Sequence, residues 1–369
     1  MSMTRLKLCS LAMAIVSMVS ITSASQAYQL SPKGSAREIR LERLNVSYFA
    51  NGQILLYRYN IGHFVDPVHE EITSRIWGCE TVDCDNLDRS DAPAAVVAGV
   101  RWNDDPRFPL TAAQAKGTKC NIGESIRVAT QPICWAQLFK RAEHGAAAGK
   151  AYGPGDPLLF RTHFGDLQFL HAMAAHPGES ASETQRKMMD WAQFSWRVSS
   201  GEFNLETPLR DIPIPTIHER FGMTGWRVLD LLTLGNSGIR PHLREVSFGT
   251  LLHMLQDSYA AGHVEREESS GLRTCRSGDY QATAPGTIVE FHAYNSQDHK
   301  AHARADSREA LLKQIEQEGD LVEVGRTLRK YYDSRASWEV VEPYLQCVFA
   351  VRDPSRPASS GDAFSLAGP

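Results

Sequence analysis

The run Leu251-Leu252-His253-Met254-Leu255-Gln256-Asp257-Ser258-Tyr259-Ala260-Ala261-Gly262-His263 sets two imidazoles and a carboxylate in an otherwise apolar stretch. Four residues make about one helical turn, so His253 and Asp257 share a face and reach one ion. Gly262 tolerates the left-handed conformation that ends helices, so the helix is expected to stop near it and His263 to project from the turn toward a second ion. The pair returns downstream as His302-Ala303-Arg304-Ala305-Asp306. One His-x-x-x-Asp pair arises readily by chance on a surface helix. Here Leu251, Leu252, Met254, Leu255 and Tyr259 surround His253 and predict burial, and a buried carboxylate needs a partner or an ion. Two such pairs with an added histidine point to a cluster of divalent ions held by nitrogen and oxygen, zinc being the usual choice. A hydrogen-bonded core pair is the competing reading.

Outward from this run the periodicity stays helical. Helices are predicted over 92–102, 133–147, 164–175, 182–198, 225–234, 246–261, 294–318 and 320–332, and from Pro67 onward around His69. The expected class is all-α, a mainly helical single domain over 63–352. A small N-terminal β-hairpin is expected in an extension over 28–62, where 39–60 alternates in part and Asn51-Gly52 suits a tight turn. Gly-, Pro- and Asp-rich loops are read at 105–121, 152–157, 204–215 and 267–286. Residues 353–369, rich in proline and serine, read as a flexible tail.

Residues 1–27 have the form of a secretory signal: Arg5 and Lys7, an apolar run over 11–21, then Ser25-Gln26-Ala27, with Tyr28 as the first mature residue. The protein is therefore expected to be secreted or periplasmic. Cys79, Cys84, Cys120, Cys134, Cys275 and Cys347 remain, an even set for an oxidising compartment. The pairing expected is 79–84, 120–134 and 275–347, although sequence alone does not choose among the connectivities. Thiolate zinc sites are disfavoured because no Cys-x-x-Cys occurs. The formal charge of −4 becomes more negative once Arg5 and Lys7 are removed, which is not the footprint of a nucleic-acid binder.

Three upstream segments join the two pairs: Asp66-Pro67-Val68-His69, Trp102-Asn103-Asp104-Asp105 after an alanine-rich helix, and Arg161-Thr162-His163 through His171. In this order the chain resembles the zinc-dependent phospholipase C and single-strand-specific nuclease superfamily, a mainly helical fold around two or three zinc ions. The likeness spans about 66–306, with its central block matched without a gap. It implies that His163, His253 and Asp257 hold one Zn2+, that His263, His302 and Asp306 hold a second, and that Asp257 bridges to a third bound by His69. It implies Asp104 as a ligand or as the base that activates water, with Asp105 the alternative catalytic aspartate. In that family the mature N-terminal tryptophan also ligates the third zinc. Here Tyr28 lies well before His69, so that site is either missing or completed otherwise, for example by His63. His171 reads as a core histidine on an apolar face, and His292 and His299 as possible orienting groups. Glu267, His144, His176, His218 and His242 read as ordinary surface residues.

Closely spaced divalent ions suit phosphodiester hydrolysis, with metal-bound hydroxide as nucleophile. The activity expected is that of a secreted phospholipase C, acting on a phospholipid during transient membrane-surface contact and releasing diacylglycerol and a phosphorylated head group. The acidic chain and Glu265-Arg266-Glu267-Glu268 suit a cationic head group such as choline. A secreted single-strand nuclease or nucleotidase is the alternative; it would need exposed aromatic rings, and Trp102, Trp135, Trp191, Trp196 and Trp226 are the candidates. A noncatalytic helical protein with a structural metal is the third reading.

Overall fold

The computed structural model describes residues 30–31, 34–43, 66–315, 317 and 319–365. About 51% of the described residues are helical, and the only sheets among them are two small two-stranded ribbons. The mainly helical class follows. The expected leader and the Asn51-Gly52 turn lie outside the described residues. The described start of the hairpin region is helical instead, at Ala36–Leu41, because Ser35 and Glu38 form a reciprocal capping box.

The fold is organised around Leu243–Asp257, a helix buried continuously from Val246 to Asp257. It packs against Ala94–Val100 and Ala181–Ser200. Two glycines permit the first crossing: a Cβ on Gly99 would lie 2.1 Å from the Val246 carbonyl oxygen, and one on Gly249 would lie 2.2 Å from that of Val96. The backbones therefore meet at a distance that no side chain allows. On the other side Ser247 Oγ donates to the Ser195 carbonyl at 3.0 Å. The partner helix Ala181–Ser200 is capped by the Ser180 hydroxyl and closed by Gly201 in the left-handed region, φ 86°.

Several predicted helices are shorter than their periodicity suggested. Within 164–175 the helix Leu158–Phe164 ends at Phe164 and only a 3-10 turn, Gln168–His171, follows, closed by Ala172 at φ 52°. The 294–318 run divides into His299–Ala305 and Arg308–Gln314, separated where Ser307 caps the second helix. The central helix ends at Asp257, four residues before the position foreseen, and His263 follows in a turn whose N–H donates to the Ala260 carbonyl at 2.9 Å. Trp338–Val348 was not foreseen, since Pro343 sits inside it.

The 267–286 segment is no plain loop. Strand β1 (Val264–Arg266) pairs antiparallel with β4 (Ile288–Phe291), and β2 (Thr274–Ser277) with β3 (Tyr280–Thr283). The three expected disulfides, 79–84, 120–134 and 275–347, are all present, and the last ties β2 to Trp338–Val348. The described part of the expected tail is held in place: Arg356 Nε and the Ser359 N–H donate to Glu290 at 2.8 and 2.9 Å, and Ala358 and Phe364 are buried. Carboxylate anchoring outweighs the low apolar content there. No helix among the described residues is long and apolar enough to cross a membrane.

Candidate metal centre

The glycine-permitted crossing brings the end of Ala94–Val100 to the middle of the central helix. His253 Nδ1–H donates to the Val100 carbonyl at 2.7 Å, and the turn that follows Val100 carries Asp104 toward the same point. One helical turn along, Asp257 Oδ2 lies 2.9 Å from His253 Nε2. His69, on the helix Val68–Ile76, donates from Nδ1 to Gln256 Oε1 at 2.6 Å, and Gln256 is itself held by Thr73 at 3.0 Å. His69 Nε2 then faces Asp257 Oδ1 at 3.4 Å and Asp104 Oδ2 at 3.8 Å. His163 donates from Nε2 to the Asp104 carbonyl at 2.8 Å. His263 donates from Nδ1 to the His171 carbonyl at 2.6 Å and turns Nε2 toward Asp306 Oδ2 at 3.8 Å. His302 Nε2 lies 2.9 Å from the same oxygen.

Four histidines thus spend one ring nitrogen on an oxygen acceptor, which leaves the second nitrogen with a lone pair, the tautomer a metal requires. The donor atoms fall into three overlapping buried triads, His69, Asp104 and His253; Asp104, His163 and His171; and His171, His253 and Asp257; and a separate one, His263, His302 and Asp306. Ligands 2.0–2.1 Å from a tetrahedral ion stand about 3.3 Å apart, and the observed contacts of 2.9–3.9 Å bracket that value. Asp104 Oδ2, Asp257 Oδ1, His171 Nε2 and Asp306 Oδ1 are buried without a hydrogen-bond partner. Among the described residues no lysine or arginine lies within ion-pair distance of Asp104, Asp257 or Asp306. Three buried acids facing only imidazoles form a donor set that fits divalent cations.

The same groups perturb one another strongly. Burial, then the neighbouring Asp257, pushes the Asp104 carboxyl well above its ordinary range. Burial acts the same way on Asp257, but His253, His263 and His69 outweigh it and hold Asp257 well below. Burial also opposes the ionised Asp306, yet His302 and His263 bring it to about 2. Burial, then the charge of His69, drives His253 down to about 3. For His263, burial is outweighed by Asp257 and Asp306, which raise it to about 9.

The structure brings together His69, Asp104, His163, His253, Asp257, His263, His302 and Asp306, but regroups them. His171 joins two triads, with Nδ1 2.9 Å from Asp257 Oδ2 and 3.0 Å from His253 Nε2. It was read as a core histidine because its place beside Asp257 is set by a 3-10 turn that periodicity does not reveal. Asp105 does not join: it accepts from the Val128 N–H at 3.0 Å and pairs with Arg127 at 2.9 Å. His292 donates from Nδ1 to the Gly262 carbonyl at 3.1 Å and steadies the His263 turn. His299 pairs with Glu143 at 3.2 Å and stacks on Tyr294. Tyr28 and His63 lie outside the described residues. Leu30, however, is buried, the Ser31 N–H donates to Glu70 Oε1 at 3.0 Å, and Arg101 donates to the Ser31 carbonyl at 2.7 Å. Ser31 therefore lies against Glu70, the residue after His69, despite the long intervening segment.

Comparison of the chain with protein-family models, with curated proteins and with solved structures finds no match to any of them.

Proposed function

We propose that the protein is an exported zinc-dependent phosphodiester hydrolase, and specifically a phospholipase C. The observation that carries the reading is the convergence of four histidines and two aspartates, from four separate segments spanning 69–257, beside a second triad at 263–306. Bound zinc would lower the pKa of a water and neutralise charge on the phosphoryl oxygens. The chain's own residues do the rest. His69, His253 and Asp257 would hold one region of the centre, His163 and His171 its edge, and His263, His302 and Asp306 the other region. Asp104, the carboxyl most disposed to carry a proton, is placed to take one from the attacking water.

Two features favour a lipid over a nucleic acid. Trp102, Trp135, Trp191 and Trp196 are core residues, which removes four of the five candidate stacking rings. Trp226 lines an apolar cavity of about 610 Å3 with Phe108, Leu110, Leu158 and Met223. That cavity borders the segments that lead from Asp104 and into His163. Its size is that of a small-molecule site.

The test is release of phosphorylcholine from phosphatidylcholine micelles by the mature protein, with chelator and then with zinc restored. Release abolished by chelator and regained with zinc, and absent in His253→Ala, supports the reading. Cleavage of single-stranded DNA alone would replace phospholipase C with nuclease.

A further inference from the structure

The two regions of the centre face each other across a cavity of about 10 Å3, bounded by His163, His171, His263 and His302 and by Thr162, Gln168, Met173 and Tyr294. That volume is about the space of one water molecule. Gln168 is the neutral polar side chain there with spare capacity. It is buried, and its Oε1 has no hydrogen-bond partner. Its amide nitrogen is turned away, toward the Ala175 carbonyl at 3.5 Å.

Two facts explain why this carboxamide faces inward. Gln168 and His171 are the first and last residues of the 3-10 turn, where positions three apart eclipse and share one side. The backbone also holds that geometry, because the Met173 N–H donates to the Gln168 carbonyl at 3.2 Å. A buried acceptor left unpaired costs about 1–3 kcal/mol, so such an atom in a cavity this size is a binding feature for a donor.

We propose that Gln168 is a positioning residue of this centre, whose Oε1 accepts a hydrogen bond from the attacking water in the cavity among the four histidines. This rests on the hydrolase reading given above. An amide is too weak a base to take the proton, so its part is orientation. It fixes one O–H of the water, which directs a lone pair at phosphorus. As the oxygen–phosphorus bond forms and the bond to the diacylglycerol oxygen breaks, the water's other proton passes to a base such as Asp104 and from it to the departing diacylglycerol oxygen. Glutamine has the same use in other phosphoryl-transfer sites.

Gln168→Leu removes the acceptor at similar volume, while Gln168→Glu keeps an acceptor oxygen at the same reach. Both are compared with the parent for zinc content, thermal midpoint, kcat and KM on phosphatidylcholine. The cobalt-loaded proteins are compared for visible absorption without substrate. The inference expects Gln168→Leu to lose about tenfold or more in kcat, about 1.4 kcal/mol, with KM and zinc content within about twofold, and its cobalt bands to shift. Gln168→Glu should recover most of kcat and the parent's bands. It is overturned if Gln168→Leu keeps kcat, if its loss follows lost zinc, or if Gln168→Glu is equally impaired. Should the parent cleave no phosphodiester, the hydrolase reading fails, and the cobalt spectra alone decide whether Gln168 touches the centre: unchanged bands in Gln168→Leu overturn it.

Discussion

Asp104→Asn and Asp105→Asn are the same chemical change on adjacent residues, and they should fail in different ways. Asp105 is fully buried, pairs with Arg127 at 2.9 Å and accepts from the Val128 N–H at 3.0 Å. Breaking a buried ion pair costs about 3–5 kcal/mol. Arg127 keeps Glu42 at 2.8 Å, and an asparagine oxygen still accepts from Val128, so the loss belongs at the lower end, about 3 kcal/mol. The Asp104 carboxyl is lifted well above its ordinary range by burial and then by Asp257, so its surroundings favour the neutral form. A neutral amide of the same shape should therefore change metal-free stability by less than about 1 kcal/mol. With zinc the order reverses. Asparagine cannot take a proton, so Asp104→Asn should lose about 100- to 10,000-fold in kcat and about one bound ion, while Asp105→Asn, once folded, keeps its zinc. Urea denaturation in chelator, zinc analysis and phosphorylcholine release separate the two. If Asp105→Asn were fully stable yet zinc-deficient, and Asp104→Asn fully active, the placing of Asp104 in the centre would be refuted.

Three further outcomes follow from the same physics. His171→Ala should bind about one zinc fewer than the parent; unchanged zinc content with normal activity would return His171 to the core role first read for it. Glu38 is raised to about 7 by burial, which Arg101 only partly offsets. The folded chain therefore holds a proton that the unfolded chain has lost between about pH 4.5 and 7, and stability from this group is present below that window and lost as pH rises through it. Glu38→Gln should flatten that fall in thermal midpoint, and an unchanged profile would count against it. Replacing Cys275 and Cys347 by serine opens a crosslink with a sequence separation of 72, worth about 4 kcal/mol on chain-entropy grounds. A urea midpoint that hardly moves would show that the packing of β2 alone anchors Trp338–Val348.

What could be read in advance was whatever depends on neighbours in sequence. The pairs His253 with Asp257 and His302 with Asp306 follow from the helical repeat, and the structure holds both at 2.9 Å. The local disulfides were legible for a similar reason. Features set by distant partners were not. Asp105 cannot be told from Asp104 until the Arg127 guanidinium arrives to claim it. His171 needs the turn that Ala172 closes in the left-handed region, an unusual conformation for alanine. The strands β1 to β4 have three or four residues each, too few for a period of two to stand out. Pro343 hid a helix because the rule against interior proline is a cost that surrounding packing can offset.

Glu71, two residues beyond His69, binds Arg308, two residues beyond Asp306, at 2.6 Å. This clasp joins the first and last ligands across nearly the whole body of the protein. No nascent or truncated chain that ends before Arg308 can close it, and none that ends before His302 can assemble the second triad. The set of ligands is therefore complete only after both ends of the series have come together, which makes full metal content a gauge of completed folding. A molecule clipped before Asp306 would declare itself by lacking the metal of the second triad.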